Sequence, residues 1–462
     1  MQPYPQPAAY RPERTILTLP DTLYDPVAAA DFPETILRFR NDAHAATVGL
    51  DGFDDSDWVH HFGRFAPLPG SLDTPLALRY HGHQFRYYNP DLGDGRGFLF
   101  AQLRDGADRL LDLGTKGSGT TPWSRAGDGR LTLKGGVREI LATEMLEALG
   151  VHTSKTFSLI ETGEALHRGD EPSPTRAAVL VRLSHSHIRI GSFQRLAALG
   201  DTDSLRALVD YCLINLYRVT PSEDPAAQLL GLVAEATARL AASYMAAGFV
   251  HGVLNTDNIN VTGESFDYGP WRFAPRWESG FTAAYFDQNG LYAFGRQPGA
   301  IHWNIVQLAI ALRPLASAEA LAPMVDLYAP AYETAFRANI LARLGVVAQT
   351  EEEDFALLGA MEAALSETDT PLDRFFFDWR GGRLRRETNA YADPRFDAFR
   401  DIAEGYAPSA PLDHPYWSDA EPCAMLIEEV EALWAPIAER DDWTAFHAKL
   451  AAIRRMGDAL RG

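Results

Sequence analysis

Three residues that stand close together in the sequence, Asp257, Asn258 and Asp267, are of types that move protons and bind metal ions. Asp257 and Asn258 lie in the segment HGVLNTDNI (251–259), and Asp267 opens the triplet DYG. Carboxylate and amide oxygens are ligands that Mg²⁺ accepts, with water and phosphate oxygens completing its octahedron. A carboxylate that reaches a hydroxyl proton can act as a general base. The alternative is that Asn258 and Asp267 only form turns and cap helices.

The spacing within this segment is similar to that of the catalytic loop of protein kinases, with one residue displaced. The kinase loop reads H-R-D-x-x-x-x-N; its Asp handles the substrate hydroxyl proton and its Asn binds a metal ion. Five positions before Asn258 stands Val253, which can do neither, whereas Asp257 lies directly beside Asn258. Two interpretations remain open: an inactive kinase-like protein, or an enzyme that catalyses a different reaction. His251 is expected to orient the loop by hydrogen bonding.

A glycine-rich segment, PDLGDGRGF (90–98), precedes a predicted strand. Gly93 and Gly95 would let backbone amides approach phosphate oxygens, and Arg96 would add positive charge. An ordinary hairpin turn is the alternative, and this motif alone does not decide between the two.

Lys116 and Glu139 could form an ion pair that orients an ammonium group toward a polyphosphate. Lys116 follows a predicted strand, and Glu139 lies 23 positions later in a predicted helix. Kinases place a strand lysine and a helix glutamate in this order. Because one Lys and one Glu often occur by chance, the pair gains its value from the wider order of glycine loop, lysine, glutamate, His-Gly loop and DYG.

Two arginines, Arg182 and Arg189, lie in and just after the apolar run AAVLVRL (177–183). A guanidinium group in an apolar run is costly unless it is paired, so an anion should lie beside it. The partner could be a carboxylate or a bound polyphosphate. Adenine, which is flat and apolar, would suit such a pair of charges badly.

The elements that must position these residues follow from the apolar pattern. Short apolar runs bounded by Gly, Asp and Pro predict strands at 97–103, 109–115 and 177–183, and helical spacing predicts a helix within 131–150. Further helices are predicted at 201–218, 226–248, 303–313, 320–344, 351–366 and 423–460, with looser chain at 370–420. The sequence therefore predicts an α+β fold whose sheet-bearing part ends near residue 195.

The composition indicates an acidic globular protein. Lys and Arg number 42 against 62 Asp and Glu, giving a net charge of −20, which disfavours nucleic acid as a partner. Two cysteines without C-x-x-C spacing fit a reducing compartment. The N-terminus lacks the features of a signal peptide, and no apolar run reaches the roughly 20 residues of a membrane span. We therefore expect a cytoplasmic protein without a membrane partner, whose first dozen residues form a loose arm.

Several blocks of the sequence resemble the selenoprotein O family (SelO, also called YdiU), which are kinase-fold proteins that act as protein adenylyltransferases. The blocks are GHQF with DLGDGR (82–96), TKGSGTTPWSRAGDGR (115–130), VREILATE (137–144), VRLSHSHIRIG (181–191), HGVLNTDNI with FDYGP (251–270) and FGRQPGAIHWNIVQLA (294–309). The resemblance implies a protein-kinase-like fold with two lobes. A sheet-containing, nucleotide-binding N-terminal lobe with an N-terminal extension would span 1–195, and a mainly helical C-terminal lobe with the catalytic loop and metal site would span 196–462.

The resemblance also implies a role for each matching residue. ATP would lie reversed relative to ordinary kinases, with its terminal phosphates in the cleft and its α-phosphorus facing the substrate hydroxyl. Asp257 would accept the proton, Asn258 and Asp267 would bind Mg²⁺ or Mn²⁺, and Glu139 would orient Lys116. The implied ATP contacts are Gly93, Gly95, Arg96, Lys116, Asp128, Gly129, Arg182, Arg189 and Asp267. AMP would pass to Ser, Thr or Tyr hydroxyls of proteins, with release of pyrophosphate; whether the enzyme also modifies itself is left open.

The sequence also departs from the family pattern. Gly135 and Gly136 stand where serines are expected, and Arg86 follows GHQF where Gly is usual. Beyond about residue 320 the family's blocks cannot be placed, and no C-terminal cysteine pair occurs, so thiol-linked regulation is not expected. An inert pseudokinase scaffold and a kinase that transfers the γ-phosphoryl group remain the alternatives to adenylyl transfer.

Overall fold

The structure is a computed structural model that describes residues 6–169, 171–386 and 388–462. The loose arm predicted for the first dozen residues lies outside the described residues at positions 1–5. From residue 6 onward the prediction is wrong, because this segment packs on the protein. The N–H of Ala8 donates to the carbonyl of Ala46 at 2.9 Å, and a Cβ added at Gly49 would lie 2.2 Å from the backbone nitrogen of Tyr10.

Within the described residues, an antiparallel sheet of nine strands forms the framework of the first part of the chain. The strands of the structure are β1 Pro12–Glu13, β2 Tyr24–Pro26, β3 Ile36–Arg40, β4 Leu76–Leu78, β5 Gly82–Gln84, β6 Tyr87–Asn89, β7 Leu99–Arg104, β8 Leu110–Lys116, β9 Leu131–Thr132, β10 Lys155–Leu166, β11 Thr175–Ser184, β12 Phe249–Val250 and β13 Arg272–Phe273. The sheet follows the order β2–β4–β7–β8–β11–β10–β3, with β1 paired to β7 and β9 to β11. Strands β5 and β6 form a separate hairpin, and β12 pairs with β13.

Helices cover the sheet and make up most of the chain after β11. They are α1 Asp42–Ala46, α2 Asp55–Phe62, α3 Leu133–Ala148, α4 Ile190–Leu199, α5 Thr202–Tyr211, α6 Pro225–Ala247, α7 Gln297–Leu312, α8 Ala318–Asp326, α9 Tyr328–Leu344, α10 Glu351–Ser366, α11 Leu372–Asp378, α12 Asp397–Ala403, α13 Ile427–Arg440 and α14 Thr444–Arg461. Helix α6 begins at the capping residue Asp224 and ends at Gly248, whose left-handed backbone (φ 69°) closes the helix. Among the described helices, none is both long and apolar enough to cross a membrane.

The two faces of the sheet are buried against different helices because side chains alternate along each strand. In β11, Val179 and Val181 pack in the cluster that contains Trp58 of α2. Leu180 points the other way, into the cluster that contains Ile140 of α3. The same alternation places the even-numbered residues of β8 and β11 on the face that α3 covers.

The structure confirms the α+β class and the three predicted strands, which lie at β7, β8 and β11. The single helices predicted at 320–344 and 423–460 are wrong, because each is two helices. Leu327 separates α8 from α9, and Pro330 near the start of α9 has no N–H to donate to the carbonyl of Asp326, as a continuous helix would require; Asp441, with a φ of 53°, ends α13 in the left-handed conformation. The loose chain predicted at 370–420 contains helices α11 and α12.

Candidate active site

A cavity of about 680 Å³ lies where the sheet, the glycine-rich segment and the segment 251–267 meet. Its lining includes Gly93, Gly95, Arg96, Lys116, Asp128, Gly129, Arg182, Arg189, Asp257, Asn258 and Asp267. Glu139 lies behind this lining and contacts the lysine side chain. The fold therefore gathers residues from distant parts of the sequence around one cavity.

Lys116 is held by two carboxylates at the wall of the cavity. Its Nζ pairs with Glu139 and lies 3.0 Å from Oδ1 of Asp267. Strand β8 presents Lys116 on the face that α3 covers, so a helix residue can reach it, and both Lys116 and Glu139 are almost fully buried. A buried ammonium group is tolerated only with such partners. The two carboxylates therefore fix the position of the charge.

Arg182 and Arg189 are buried guanidinium groups at the same wall, with exposed fractions of 6% and 2%. Nη1 of Arg182 lies 3.5 Å from Oδ1 of Asp267, and Nη2 of Arg189 lies 3.3 Å from Oδ1 of Asp94. Carboxylate partners, one of the two alternatives considered from the sequence, are thus present. Both guanidinium groups also line the cavity. Together with the neighbouring lysine they supply this wall with positively charged hydrogen-bond donors that an anion could contact.

Asp267 is a strongly ionised carboxylate. Burial alone would raise the pKa of Asp267, but Lys116, Arg182, Arg96 and Arg189 hold it well below its usual range. The backbone of Asp267 has a φ of 62°, a left-handed conformation that is uncommon for residues other than glycine. Its side chain is 29% exposed and lines the cavity, so a permanent negative charge faces any ligand there.

The surroundings of Asp257 raise its pKa, whereas those of Asp267 lower the pKa of that residue. It lies on the short helical turn Thr256–Asn258 and is 8% exposed. Burial raises the pKa of Asp257 to about 6, although Arg189 partly opposes this effect. Its Oδ1 has no hydrogen-bond partner among the described residues, and a Cβ added at Gly82 would lie 2.9 Å from that oxygen. Asp257 can therefore take up a proton near neutral pH, at which Asp267 stays ionised.

Asn258 and Asp267 supply oxygen atoms suited to a hard divalent cation. Nδ2 of Asn258 donates to the carbonyl of Val253 at 3.0 Å, so the amide oxygen is the atom that can act as a ligand. Within the described ranges, no group of three or more His, Cys, Asp or Glu side chains could hold a metal ion by itself. A cation here would need further oxygens from water or phosphate, which is how proteins commonly bind Mg²⁺. The residues therefore fit a cation that binds together with a nucleotide.

The glycine-rich segment is packed tightly against the loop that follows β8. A Cβ added at Gly93 would lie 2.3 Å from Cγ of Trp123, and one added at Gly95 would lie 2.8 Å from the carbonyl oxygen of Trp123. The hydroxyl of Ser124 also donates to the carbonyl of Gly95. Sequence reasoning assigned no role to Trp123, although it lies in a block that matched the family. Close approach of this tryptophan explains why both positions require glycine.

Asp128 contacts an arginine that sequence reasoning missed. Its carboxylate accepts hydrogen bonds from Nη1 and Nη2 of Arg168 at 2.8 and 3.1 Å, and from the backbone N–H of Arg130 at 3.0 Å. Arg168 and Arg130 both line the cavity. Gly129 has a φ of 70°, and a Cβ there would lie 2.2 Å from the carbonyl carbon of Gly119. No motif marks Arg168, because its position depends on a loop between β10 and β11.

The hairpin β5–β6 holds the segment that carries Asp257. The hydroxyl of Thr256 accepts the backbone N–H of His83 at 2.7 Å. The side-chain oxygen of Asn255 accepts the backbone N–H of Phe85 at 3.0 Å. These bonds join a segment near residue 85 to the candidate catalytic loop and fix the loop's backbone.

The backbone around Asp267 is anchored on both sides. As predicted, His251 orients its surroundings by hydrogen bonding, because its Nε2 donates to the carbonyl of Phe266 at 3.0 Å. On the other side, the buried hydroxyl of Tyr268 donates to Oγ of Ser265 at 2.7 Å. A tyrosine thus replaces the phenylalanine of the kinase triplet without leaving a buried polar group unpaired.

Comparison with known proteins extends the similarity far beyond the blocks between residues 82 and 309. The family model described as "Protein adenylyltransferase SelO" matches residues 8–393. A protein from Gloeobacter violaceus is 44% identical over 467 aligned positions, covering 96% of this chain and 95% of that protein. A protein from Synechocystis sp. (strain PCC 6803) is 41% identical over 461 positions, covering 94% of this chain and 96% of that protein. Both are named protein nucleotidyltransferase YdiU. The chain therefore belongs to the SelO family, to which the region after residue 320 also contributes.

Proposed function

We propose that this protein is a protein adenylyltransferase, which transfers AMP from ATP to Ser, Thr or Tyr hydroxyls of proteins. The observation that carries the proposal is the cavity in which the cations of Lys116, Arg182 and Arg189 share one lining with the raised-pKa carboxylate of Asp257. Such a site can bind a polyphosphate and accept a proton beside it. The names of the family model and of the relatives support nucleotidyl transfer.

A protein-kinase-like fold with two lobes, 1–195 and 196–462, is part of the proposal. Its support is the order along the chain of a strand lysine, a helix glutamate, the loop with Asn258 and the DYG triplet, all of which meet at the cavity. In this arrangement the sheet-bearing lobe binds ATP. The helical lobe supplies the catalytic loop and the metal ligands.

The proposed nucleotide lies reversed relative to ordinary kinases, with its terminal phosphates against Lys116, Arg182 and Arg189. Support comes from the position of both guanidinium groups in the cavity lining, because they can form charge-assisted hydrogen bonds with phosphate oxygens, whereas an adenine ring carries no charge to pair with them. The α-phosphorus would then face Asp257. Gly93, with its neighbours in the glycine-rich segment, would border the phosphates.

Asp257 is the proposed proton acceptor. The substrate hydroxyl oxygen bonds to the α-phosphorus, the bond from that phosphorus to the oxygen bridging to the β-phosphorus breaks, and the hydroxyl proton passes to Asp257. Pyrophosphate carries away the bonding electrons. Reversal of the nucleotide also accounts for Val253, because a base placed for γ-phosphoryl transfer would lie far from a reacting α-phosphorus.

Asn258 and Asp267 are the proposed ligands of Mg²⁺ or Mn²⁺. When bound, the ion supplies electrostatic stabilisation of charge on the phosphates. Lys116 and the arginines act on the same charge from the protein side, and Glu139 keeps the lysine in place. Asp267 therefore contributes in two ways, as a cation ligand and as a partner of Lys116.

Isotope labelling tests the proposal. The protein is incubated with ATP labelled at the α- or the γ-phosphorus, with and without Mg²⁺, in the presence of a cell lysate as a source of hydroxyl-bearing proteins. We expect metal-dependent label on protein from α-labelled ATP only, lost in Asp267→Ala. Label from γ-labelled ATP would instead indicate a kinase. Tight nucleotide binding without any label on protein would indicate a pseudokinase scaffold.

We also infer that the protein acts in the cytoplasm and can modify itself. The two cysteines, Cys212 and Cys423, are free thiols, which suits a reducing compartment. Cell fractionation tests the location. Omission of the lysate from the labelling reaction tests self-modification, because label would then appear at the mass of the protein alone.

A further inference from the structure

The ring of His187 fills a space between strands β8 and β11, behind the part of the cavity wall formed by Lys116, Arg182 and Arg189. Asp112, Gly114 and Lys116 alternate along β8, and Gly114 pairs with Arg182 of β11, so their side chains share the face that α3 covers. A Cβ added at Gly114 would lie 2.2 Å from Nε2 of His187. Only the absence of a side chain at Gly114 therefore lets the His187 ring lie between the carboxylate and the guanidinium group.

His187 connects Arg182 to Asp112. Nε of Arg182 donates to Nε2 of His187 at 3.2 Å, and Oδ2 of Asp112 lies 3.4 Å from Nδ1 of His187. The same carboxylate oxygen accepts the backbone N–H of His187 at 2.9 Å. Because a guanidinium group has only donors, Nε2 must carry the lone pair and Nδ1 the proton. The ring is therefore neutral, in agreement with burial, which lowers the pKa of His187.

Asp112 is itself fixed by buried neighbours. Nε2 of Gln102, on β7, donates to Oδ1 of Asp112 at 2.8 Å and lies 3.2 Å from the hydroxyl of Tyr211 on α5. Gln102, Asp112, His187 and Tyr211 are all buried. The chain of polar contacts thus runs from α5 through the sheet to Arg182, and His187, in the segment between β11 and α4, is held in it by Asp112.

These contacts fix one edge of the Arg182 guanidinium group. Nε of Arg182 is engaged by His187, so the terminal nitrogens face the cavity; Nη1 lies 3.5 Å from Oδ1 of Asp267 but has no hydrogen-bond partner among the described residues. We propose that His187 is a positioning residue, which as a neutral hydrogen-bond acceptor orients Arg182 so that its terminal nitrogens bind the terminal phosphates of ATP. The inference rests on the proposed function for the identity of the ligand, and it gives a role to a residue that does not line the cavity.

Nucleotide titration tests this role without any need for transferase activity. The affinity for ATP is measured by calorimetry in the wild-type protein, in His187→Leu and in His187→Gln. Leu fills the space but accepts no hydrogen bond, so Arg182 is no longer held toward the phosphates; we expect about tenfold weaker ATP binding, the size of one weakened hydrogen bond between Arg182 and a phosphate. Gln keeps an acceptor oxygen at the position of Nε2 and should recover most of the affinity.

A double-mutant cycle separates positioning from a general loss of structure. Arg182→Lys keeps the charge but has no Nε donor, so His187→Leu should cost nothing further in that background. His185, a partly buried histidine in the same segment, is the matched control: His185→Leu should change ATP affinity by the same factor in both backgrounds. Thermal unfolding of every variant shows that folded proteins are compared.

The outcomes are distinct. Unchanged ATP affinity in His187→Leu, or an equal loss in the Arg182→Lys background, would overturn the role of His187 while leaving the proposed function intact. Failure of the wild-type protein to bind ATP would remove the proposed function together with this inference. Three results together would establish the role of His187. They are weaker ATP binding by His187→Leu, recovery of the affinity in His187→Gln, and no further loss when His187→Leu is added to Arg182→Lys.

Discussion

Nζ of Lys116 lies 3.0 Å from Oδ1 of Asp267 while the same ammonium group pairs with Glu139. One buried cation thus connects strand β8, helix α3 and the DYG segment. Because the lysine neutralises two carboxylates at once, its removal would leave two like charges close together with little solvent to screen them.

Replacement of this lysine should therefore affect both stability and activity. We expect Lys116→Met to lower the free energy of unfolding by about 3 to 5 kcal/mol, as for the loss of one partner of a buried ion pair, and to abolish adenylyl transfer. Urea unfolding and α-label transfer measure the two effects. Lys134→Met is the matched control, because Lys134 pairs with Glu431 at 2.7 Å on a more exposed surface and its loss should cost about 1 kcal/mol or less.

The raised pKa of Asp257 predicts a pH profile. A base with a pKa of about 6 is protonated and inactive below that pH, so kcat/KM should rise about tenfold per pH unit below pH 6 and level off above it. Asp257→Asn should lower the rate by about 10² to 10⁴-fold and remove this dependence. Asp203→Asn, at an exposed surface pair, should leave the profile unchanged. A wild-type profile without an inflection near pH 6 would contradict the assignment.

The contact between Gly93 and Trp123 predicts a local defect. In Gly93→Ala the new methyl group would come within 2.3 Å of the indole, so either the glycine-rich segment or the tryptophan must move. We expect at least tenfold weaker ATP binding with a smaller effect on global stability. Gly52→Ala, where the added group has no neighbour within 4 Å, is the control. Equal ATP affinity in the two variants would show that the segment does not contact the nucleotide.

Glu264 predicts a pH dependence of stability. Burial raises the pKa of Glu264 to about 7, although Lys155 and Arg109 oppose this effect. A pKa raised in the folded state means that its contribution to stability is complete below the pKa of the unfolded chain and is lost as pH rises through about 7. The free energy of unfolding of the wild type, relative to Glu264→Gln, should therefore fall by roughly 3 kcal/mol between pH 4.5 and 8.

The free energy of unfolding is measured by urea unfolding for both the wild type and Glu264→Gln. The difference between the two removes the opposite pH dependence that neighbouring histidines contribute. Burial lowers the pKa of His152 to about 3 and that of His185 to about 4, so these residues add stability as pH rises. Both remain in Glu264→Gln. A wild-type-minus-variant difference that is flat with pH would show that Glu264 titrates normally.

Several residues that line the cavity could be named from the sequence, because their order along the chain carries information. The strand with Lys116, the helix with Glu139 and the loop with Asn258 are each short motifs with fixed composition, and all contribute to one site. Short apolar runs bounded by Gly, Asp and Pro also located β7, β8 and β11. At these positions the apolar pattern and the types of the polar residues both indicate the observed structure.

Other parts of the fold and of the site could not be predicted from the sequence, and the physical reason differs from one part to the next. Strand β10, Lys155–Leu166, was missed because it buries polar residues such as Thr156, Ser158 and Glu161, which local reasoning assigns to the surface. Their partners come from distant segments; Glu161, for example, pairs with Arg38 at 2.7 Å. Arg168 reaches the cavity only through the paths of two strands. Such long-range pairing leaves no local mark in the sequence.

The paired glycines that depart from the family pattern also have a structural reason. A Cβ at Gly136 would lie 2.3 Å from a methyl group of Leu159, so helix α3 approaches β10 too closely there for a larger residue. The contact lies on the same helix as Glu139. Close packing of α3 on the sheet thus helps to bring the glutamate to Lys116.

The packing of Asp257 against Gly82 limits how the chain can be dissected. These residues fall on opposite sides of position 195, and the bonds from Thr256 and Asn255 to the hairpin cross it as well. Fragments separated there would each lose half of the walls around the carboxylate. Co-expressed halves would therefore regain these walls only by reassembling, which co-purification of the two pieces would report.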